Sequence, residues 1–206
     1  SIIGYAETLS MTNKEKTNNK FIQTILEQST RMKNLIEDLL SLSTYENHEK
    51  INTPQHCNVS EAVSIAINSL ESKSKEKKIE IVFNQQSESW AVRCSKQELI
   101  QIAINIIDNS IKYSKENTQI VIQLNLLDDP LRKREYVNIT FQDEGLGIAE
   151  EHIPRLTERF YRTDVARSRE VGGTGLGLSI VKHILNNNDG LLEISSKVGV
   201  GSTFTV

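Results

Sequence analysis

Four short blocks constrain the second half of the chain most strongly, because each combines glycine or asparagine with a fixed spacing. They are NIIDNSIKY at 105–113, DEGLG at 143–147, GGTGLG at 172–177 and GVGST at 199–203. Glycine tolerates positive φ and lets a backbone approach a ligand closely, and the amide oxygen of asparagine suits a hard cation such as Mg²⁺. Any one block would fit an ordinary turn, but the four in this order indicate a nucleotide site.

Taken in order and spacing, the same blocks resemble the N, G1, G2 and G3 boxes of sensor histidine kinases. ERFYR at 158–162 resembles the F box of that family. The resemblance covers nearly the whole chain, and it implies a dimerising helical hairpin followed by an ATP-binding catalytic domain. It also implies ATP and Mg²⁺ as cofactors. The implied partner is the receiver domain of a response regulator, which takes the phosphoryl group onto an aspartate.

The start of the chain departs from that family. SIIGYAETL at 1–9 resembles the stretch directly after the phospho-acceptor histidine of the first hairpin helix. No histidine here is followed by the acidic residue, basic residue and proline of the family's H box, and we interpret all four as structural or solvated: His48, His56, His152 and His183. We therefore expect the acceptor upstream of Ser1. This chain alone should bind nucleotide without phosphorylating itself.

Composition argues against several other classes of protein. The 206 residues, 37% of them hydrophobic, suffice for one compact domain with an appendage, since domains commonly have about 100–150 residues. A formal net charge of −3 gives no basic footprint for nucleic acid. Cys57 and Cys94 show no CxxC pairing, which favours a reduced, cytosolic setting. No apolar run approaches the roughly 18 residues of a membrane span. If the parent is a bacterial membrane sensor, its span lies upstream of this cytoplasmic portion.

Residues 1–47 have the pattern of two helices joined by the polar segment 12–19. Apolar residues recur at spacings of seven in the second helix, as Ile25, Met32 and Leu39 and again as Leu35 and Leu42. A lone hairpin cannot bury such a heptad seam, so we expect two copies to form a four-helix bundle. The alternative is that the hairpin packs on its own catalytic domain.

Polar residues with Pro54 predict a linker over 48–58, and residues 59–206 then form the catalytic domain. Ser60 is a plausible N-cap for a helix to about Glu71, and Ser95 for a helix to Tyr113. A further helix is predicted over 176–185, and strands are predicted over 79–83, 91–94, 119–126, 137–142, 191–196 and 202–206. Helices on one face of a mixed sheet make an α/β sandwich. The fold class is therefore α+β, and the family resemblance implies the Bergerat type of ATP-binding domain.

Asp143 ends a predicted strand, where its acceptor-only carboxylate suits the exocyclic amine of adenine. A capping or turn aspartate is the alternative. Gly145 and Gly147 follow it. The resemblance implies that Tyr113 flanks the nucleotide, and Thr203 is a candidate second contact near the base.

On the asparagine helix, the resemblance implies that Asn109 coordinates Mg²⁺ and that Lys112 contacts the phosphates. Asn105, four residues before Asn109, lies on the same helical face. In the gyrase and chaperone relatives that hydrolyse ATP, this position holds a glutamate that activates water. A neutral amide cannot take a proton, which disfavours hydrolysis and favours phosphoryl transfer.

The polar stretch 160–173 resembles the mobile lid over the nucleotide. Among its arginines, Arg162 best matches the family's phosphate contact. For Arg167 and Arg169 the alternative is a solvated side chain with no contact to phosphate. The block that follows, Gly173, Thr174, Gly175, Leu176 and Gly177, opens a helix whose N-terminal N–H groups can face phosphates. Phe160 is expected either to anchor the lid by packing or to serve only the core.

Two other functions fit the same sequence. One is an ATPase or serine kinase of the same superfamily, against which Asn105 and the heptad hairpin argue. The other is a non-catalytic module in which ATP changes how the dimer docks a partner, and it depends solely on the missing acceptor histidine.

Overall fold

The computed structural model describes residues 2–12, 16–47, 56–84, 90–129, 134–163 and 173–206. They form a helical hairpin followed by an α/β domain, so the predicted fold class is confirmed. None of the described helices is both long and apolar enough to span a membrane.

The hairpin consists of α1 (Ile2–Thr12) and α2 (Lys16–Asn47). The prediction that the connector extends to Asn19 was wrong, because α2 already begins at Lys16. The segment is polar but contains neither glycine nor proline, and polarity alone does not end a helix. Near the C-terminal end of α2, Leu42 is buried in the core of the following domain.

The catalytic domain begins earlier than predicted. Strand β1 (His56–Asn58) pairs antiparallel with β3 (Ala91–Arg93), so these three residues belong to the domain and not to the linker. The rest of the predicted linker, 48–55, lies outside the described residues. The next helix, α3 (Val59–Glu76), is capped by the Asn58 side chain, which accepts a hydrogen bond from the backbone N–H of Glu61 at 3.0 Å.

Ser60 is therefore not the cap of α3, because it is buried within the first turn of the helix. Asn58 and Ser60 are both good capping residues, so composition alone could not choose between them. The second predicted cap is confirmed. Ser95 and Glu98 form a capping box at the start of α4 (Lys96–Tyr113).

Five strands form a mixed sheet in the order β2, β4, β5, β7, β6. The strands are β2 (Glu80–Asn84), β4 (Gln119–Asp129), β5 (Arg134–Asp143), β6 (Glu193–Lys197) and β7 (Gly201–Thr205). β2 and β4 are parallel and the other neighbours are antiparallel. The predicted β4–β5 hairpin is confirmed, and its register places Ile120 opposite Asp143.

The core lies between this sheet and the helices α3, α4 and α5 (Gly177–Asn187). Its largest fully buried side chains come from both layers and include Ile102, Ile106, Ile107, Ile120, Ile122, Phe141, Leu176, Ile180 and Ile184. A short 3₁₀ helix, Glu150–Arg155, follows β5. Because the apolar side of α4 is committed to this core, its polar side faces outward, and that side carries both asparagines.

Candidate nucleotide site

A cavity of about 600 Å³ lies beside the polar side of α4. Its lining includes most of the residues singled out from the sequence, namely Asn105, Asn109, Lys112, Tyr113, Asp143, Gly147, Arg162, Gly173, Thr174, Gly175 and Gly177. Gly145, Phe160, Leu176 and Thr203 are outside the lining. Ser202 of the fourth block also lines it, so residues from all four sequence blocks meet at one place, although up to about 100 residues separate them in the chain.

Asp143 is the most buried acidic side chain of the cavity, with 7% of its surface exposed. Its Oδ1 accepts hydrogen bonds from the backbone N–H of Gly145 at 2.9 Å and of Ser202 at 3.1 Å. Its Oδ2 accepts one from the hydroxyl of Ser110 at 3.2 Å. Burial raises the pKa of Asp143, and these three hydrogen bonds oppose that rise. The Oδ2 atom keeps acceptor capacity for a ligand amine.

The DEGLG loop requires glycine for steric reasons. Gly147 has φ +68°, and a Cβ there would lie 2.0 Å from the carbonyl oxygen of Lys197. A Cβ on Gly145 would lie 2.7 Å from Oδ1 of Asp143. The loop also accepts a hydrogen bond from Gly199 N–H to the carbonyl of Leu146 at 2.7 Å. The second and fourth sequence blocks are therefore in direct contact.

On α4, the side chains of Asn105, Asn109 and Lys112 all reach the cavity. The Nδ2 atom of Asn105 is buried and has no hydrogen-bond partner within the described part of the chain. A buried amide donor without a partner is uncommon and calls for a water or ligand acceptor. A Cβ on Gly177 would lie 3.4 Å from Oδ1 of Asn105, so the start of α5 approaches this amide closely.

Lys112 is held by a carboxylate on its own helix. Its Nζ lies 2.5 Å from Oδ2 of Asp108, and Oδ1 of the same carboxylate lies 2.7 Å from Nζ of Lys73 on α3. Burial by itself would raise the pKa of Asp108, but Lys112 and Lys73 outweigh it and lower that pKa below its ordinary value. Asp108 is therefore ionised at neutral pH, and it orients both ammonium groups.

The two ends of the lid are joined by two hydrogen bonds, one from a backbone N–H and one from a side chain. The N–H of Phe160 donates to the carbonyl of Gly175 at 2.9 Å, and Nη1 of Arg162 donates to the carbonyl of Gly173 at 2.7 Å. The Phe160 ring is exposed, so the expectation of a core role was wrong, and its backbone rather than its ring makes the contact. Arg167 and Arg169 lie outside the described residues.

Ser202, not Thr203, faces the cavity. Side chains alternate along a strand, and the register of β7 on β5 pairs Ser202 with Asp143 and Thr203 with Gln142. Thr203 therefore lies on the opposite face of the sheet from the cavity, and Ser202 takes its place in the predicted set. The sequence signal was present, since GVGST offers two adjacent hydroxyls, but only the register chooses between them.

Leu176 is fully buried and contributes to the core beneath the start of α5. Its backbone N–H donates to Oγ1 of Thr174 at 3.3 Å, which orders the turn into the helix. Leu176, which was predicted to bind the nucleotide, therefore supports the site through the core and the turn.

The hairpin contributes a side of the cavity that the sequence did not reveal. Asn34, Glu37 and Asp38 of α2 line it. The Thr174 hydroxyl donates to Oδ2 of Asp38 at 2.5 Å. Burial raises the pKa of Asp38, and the Thr174 hydrogen bond and nearby Lys112 oppose that rise. No local pattern marks this contact, because 136 residues separate its two partners.

None of the three histidines that the structure describes is part of the hairpin. His56 is on β1, His152 Nδ1 lies 2.8 Å from the Tyr161 hydroxyl, and His183 Nε2 lies 3.2 Å from Nδ2 of Asn187. His48 lies outside the described residues.

The residues present fit Mg²⁺ only as part of a nucleotide complex. Among the described residues no group of three or more His, Cys, Asp or Glu side chains is arranged to hold a metal. Mg²⁺ commonly binds through one or two protein oxygens together with substrate phosphates and water. The cavity-facing Asn109 offers one such oxygen.

Two family models match the chain. Residues 94–206 match "Histidine kinase-, DNA gyrase B-, and HSP90-like ATPase", and residues 1–48 match "His Kinase A (phospho-acceptor) domain". The Phosphate regulon sensor protein PhoR of Pseudomonas aeruginosa is 35% identical over 207 residues, which cover 99% of this chain and 45% of the relative. The chain thus spans less than half the length of that curated relative.

Solved structures share the fold. ShkA, full-length and in complex with AMPPNP, superposes with a TM-score of 0.73 at 20% identity, covering 99% of this chain and 41% of that one. The histidine kinase ThkA in complex with the response regulator protein TrrA gives 0.68 at 20% identity, covering 99% and 55%. With both family models matched in this order, and residues 94–206 matching the model of the ATPase domain, the chain belongs to the sensor histidine kinases of two-component signal transduction.

Proposed function

We propose that this chain is the dimerising and ATP-binding core of a kinase that transfers the γ-phosphoryl group of ATP·Mg²⁺ to a histidine side chain. The observation that carries the proposal is the buried Asp143 carboxylate, which is fixed by three hydrogen bonds and lines the same cavity as Asn109 and Lys112. From that histidine the phosphoryl group passes to an aspartate of a response regulator. The complex of ThkA with TrrA supports such a partner.

Five residues that line the cavity have a role in this proposal. Asp143 accepts the adenine amine, and the half-exposed Tyr113 ring flanks the base. Asn109 supplies an oxygen to the Mg²⁺ that neutralises the phosphates. Lys112 and Arg162 contact those phosphates as cations. Phosphoryl transfer needs mainly alignment and charge neutralisation, and these residues supply both.

Asn105 separates transfer from hydrolysis. Its amide cannot take a proton from water. Its Nδ2, which has no partner among the residues that the structure describes, is a donor and suits a phosphate oxygen or an ordered water. The cavity therefore favours a nucleophile that comes from outside it, as an acceptor histidine does, over an activated water.

The test is calorimetric titration with ATP and with GTP, each with and without Mg²⁺. We expect ATP to bind, GTP not to bind, and Mg²⁺ to strengthen ATP binding. In Asn109→Ala the Mg²⁺ benefit should disappear, a loss of about 10- to 100-fold because interactions with charged groups commonly contribute about 1.5–3 kcal/mol. Steady phosphate release by the wild-type chain, abolished in Asn109→Ala, would instead favour the ATPase alternative.

The exposed face of α2 supports a homodimer through residues 1–47. Ile25, Met32 and Leu39 are between 46% and 62% exposed, and Ile36 and Leu40 continue the same stripe. Leu42 instead packs on the catalytic domain. In this proposal the heptad seam has both expected uses, each with different residues: the exposed stripe forms the dimer, and Leu42 contacts the catalytic domain. A stripe of five large apolar side chains on one helix indicates an interface.

Met32→Glu should dissociate this dimer. Burying one methionine side chain contributes about 1.5–3 kcal/mol, and a two-fold interface contains the residue twice, so the dissociation constant should rise at least about 100-fold. Thr30→Glu is the matched control, because Thr30 is exposed on α2 away from the stripe. Sedimentation equilibrium measures both variants. A dimer that survives Met32→Glu unchanged would contradict the proposed interface.

The whole protein would then be a membrane sensor, with this core in the cytoplasm of a bacterium. PhoR is named a sensor protein, which supports the sensing role. Nucleic acid has no place in the proposal.

A further inference from the structure

Helix α3 supplies a cation to the nucleotide cavity, although α3 contains none of the four sequence blocks. Lys73 lies near its C-terminal end and lines the cavity together with Lys112 and Arg162. Within the described lining, these three are the only lysine or arginine side chains. Lys112 belongs to the first block and Arg162 to the ERFYR segment, whereas no motif named above contains Lys73.

Lys73 and Lys112 share one carboxylate. Asp108 takes one ammonium on each oxygen, at 2.7 and 2.5 Å. Two positive charges on one negative charge leave the cluster with a net charge of +1. Each ammonium has three donors. After the bond to Asp108, each lysine therefore keeps donors for another acceptor.

Burial distinguishes the members of the cluster. The Asp108 side chain is 16% exposed, whereas that of Lys73 is 58% exposed. The carboxylate is thus a fixed point, and Lys73 reaches it from α3 with its ammonium at the edge of the cavity. A mobile cation beside a fixed anion can turn toward a phosphate at little cost, because it keeps one bond to Asp108.

The cluster of Asp108, Lys73 and Lys112 lies on the side of the cavity near Thr174, which directly follows the lid. Lys112 and Asp108 both act electrostatically on Asp38, which holds the hydroxyl of Thr174. Asp143, by contrast, is anchored by Ser110 of α4 and Ser202 of β7. If adenine lies on Asp143, we expect the phosphates to extend toward Thr174 and the Asp108 carboxylate, which Lys73 contacts.

We propose that Lys73 is a further binding residue for the terminal phosphates of the nucleotide, held in place by Asp108. The proposal rests on the proposed function, because it assumes that the cavity takes ATP. It adds a cation from α3 to the phosphate contacts that the sequence blocks supply.

The test compares Lys73→Met with Lys75→Met by titration with adenosine, ADP and ATP at low and high salt. Lys75 is two residues further along α3, pairs with Glu71 at 2.6 Å and does not line the cavity. Lys75→Met therefore removes the same charge outside the cavity. We expect Lys73→Met to weaken ATP binding roughly three- to tenfold at low salt, and less at high salt. ADP should lose less and adenosine nothing. Lys73→Arg, which keeps the charge, should retain most of the ATP affinity.

The outcomes separate this inference from the function on which it rests. If the wild-type chain binds ATP and Lys73→Met behaves as Lys75→Met does, the inference is overturned and the proposed function stands. An equal loss for adenosine and ATP would overturn the inference too, because it would show a general effect on the site. If the wild-type chain binds no ATP, both are overturned.

Discussion

Asp143→Asn should abolish ATP recognition while leaving the fold intact. In the variant, the asparagine Oδ1 can still accept from the backbone N–H groups of Gly145 and Ser202, as the carboxylate does. Its Nδ2 can donate to the Ser110 hydroxyl, which is donor and acceptor alike. All three hydrogen bonds of the wild type therefore have a counterpart. What changes is the group that faces the ligand.

The changed group is a donor where adenine presents a donor. An amide N–H₂ cannot accept from the exocyclic amine, so the hydrogen bond is lost and two donors oppose each other. Loss of a hydrogen bond to a charged group costs about 1.5–3 kcal/mol, so ATP should bind at least about 100-fold more weakly once the opposition is added. Calorimetric titration with ATP measures this directly.

Stability should move in the other direction. Because burial raises the pKa of Asp143, folding favours its protonated form, and the stability this gives is lost as the pH rises through the folded-state pKa. Asparagine carries no charge to bury. The free energy of unfolding of Asp143→Asn at pH 7 should therefore equal or exceed that of the wild type, and the advantage should shrink as the pH falls.

Asp128→Asn serves as the control. Asp128 is exposed on β4 and does not line the cavity, so this substitution removes the same charge at another place. Unchanged ATP affinity in Asp143→Asn, with normal affinity in the control, would remove Asp143 from the proposed base contact. A variant that unfolds would show that the carboxylate is needed by the fold itself.

Gly147→Ala should damage both the fold and the site. The added Cβ would lie 2.0 Å from the carbonyl oxygen of Lys197, and the residue has φ +68°. The left-handed conformation costs a non-glycine residue about 1–2 kcal/mol, and overpacking costs about 1–3 kcal/mol more. We expect the free energy of unfolding to fall by about 2–5 kcal/mol and ATP binding to be lost, because the loop must move away from the β6–β7 turn.

Gly199→Ala separates the two causes. Gly199 has φ +81°, but a Cβ there would meet nothing within 4 Å. The free energy of unfolding of this variant should fall only by about 1–2 kcal/mol, the cost of the left-handed conformation. Urea unfolding of both variants measures the difference. Equal losses would mean that the contact with Lys197 relaxes freely, and would contradict the steric argument.

The same contact explains why the second and fourth blocks occur together. Gly147 fits only against the backbone at Lys197, and the N–H of Gly199 donates to the carbonyl of Leu146. Gly201 also approaches Asp143, since a Cβ there would lie 2.0 Å from its carbonyl oxygen. The loop after β5 and the turn before β7 therefore form one unit, with Asp143 at its centre.

Local physical chemistry made several elements predictable from sequence. The Ser95 cap and the apolar spacing of α4 are properties of one helix, and they already place Asn105 and Asn109 on one face. Alternation along β4 and β5 predicts a hairpin for the same reason. The DEGLG glycines are readable because positive φ and close approach leave few other residues possible. Such signals lie within about twenty residues of one another.

Long-range contacts decided the rest. Ser202 and Thr203 are equivalent in sequence, and only the register of β7 on β5 turns one toward Asp143 and the other away. Lys73 meets Asp108, and Asp38 meets Thr174, through packing of separate helices. The sequence by itself determined the type of fold and the kinds of groups in the site, because these follow from local spacing. Which hydroxyl, which lysine and which carboxylate reach the cavity was decided only by the tertiary structure, because those contacts join segments far apart in the chain.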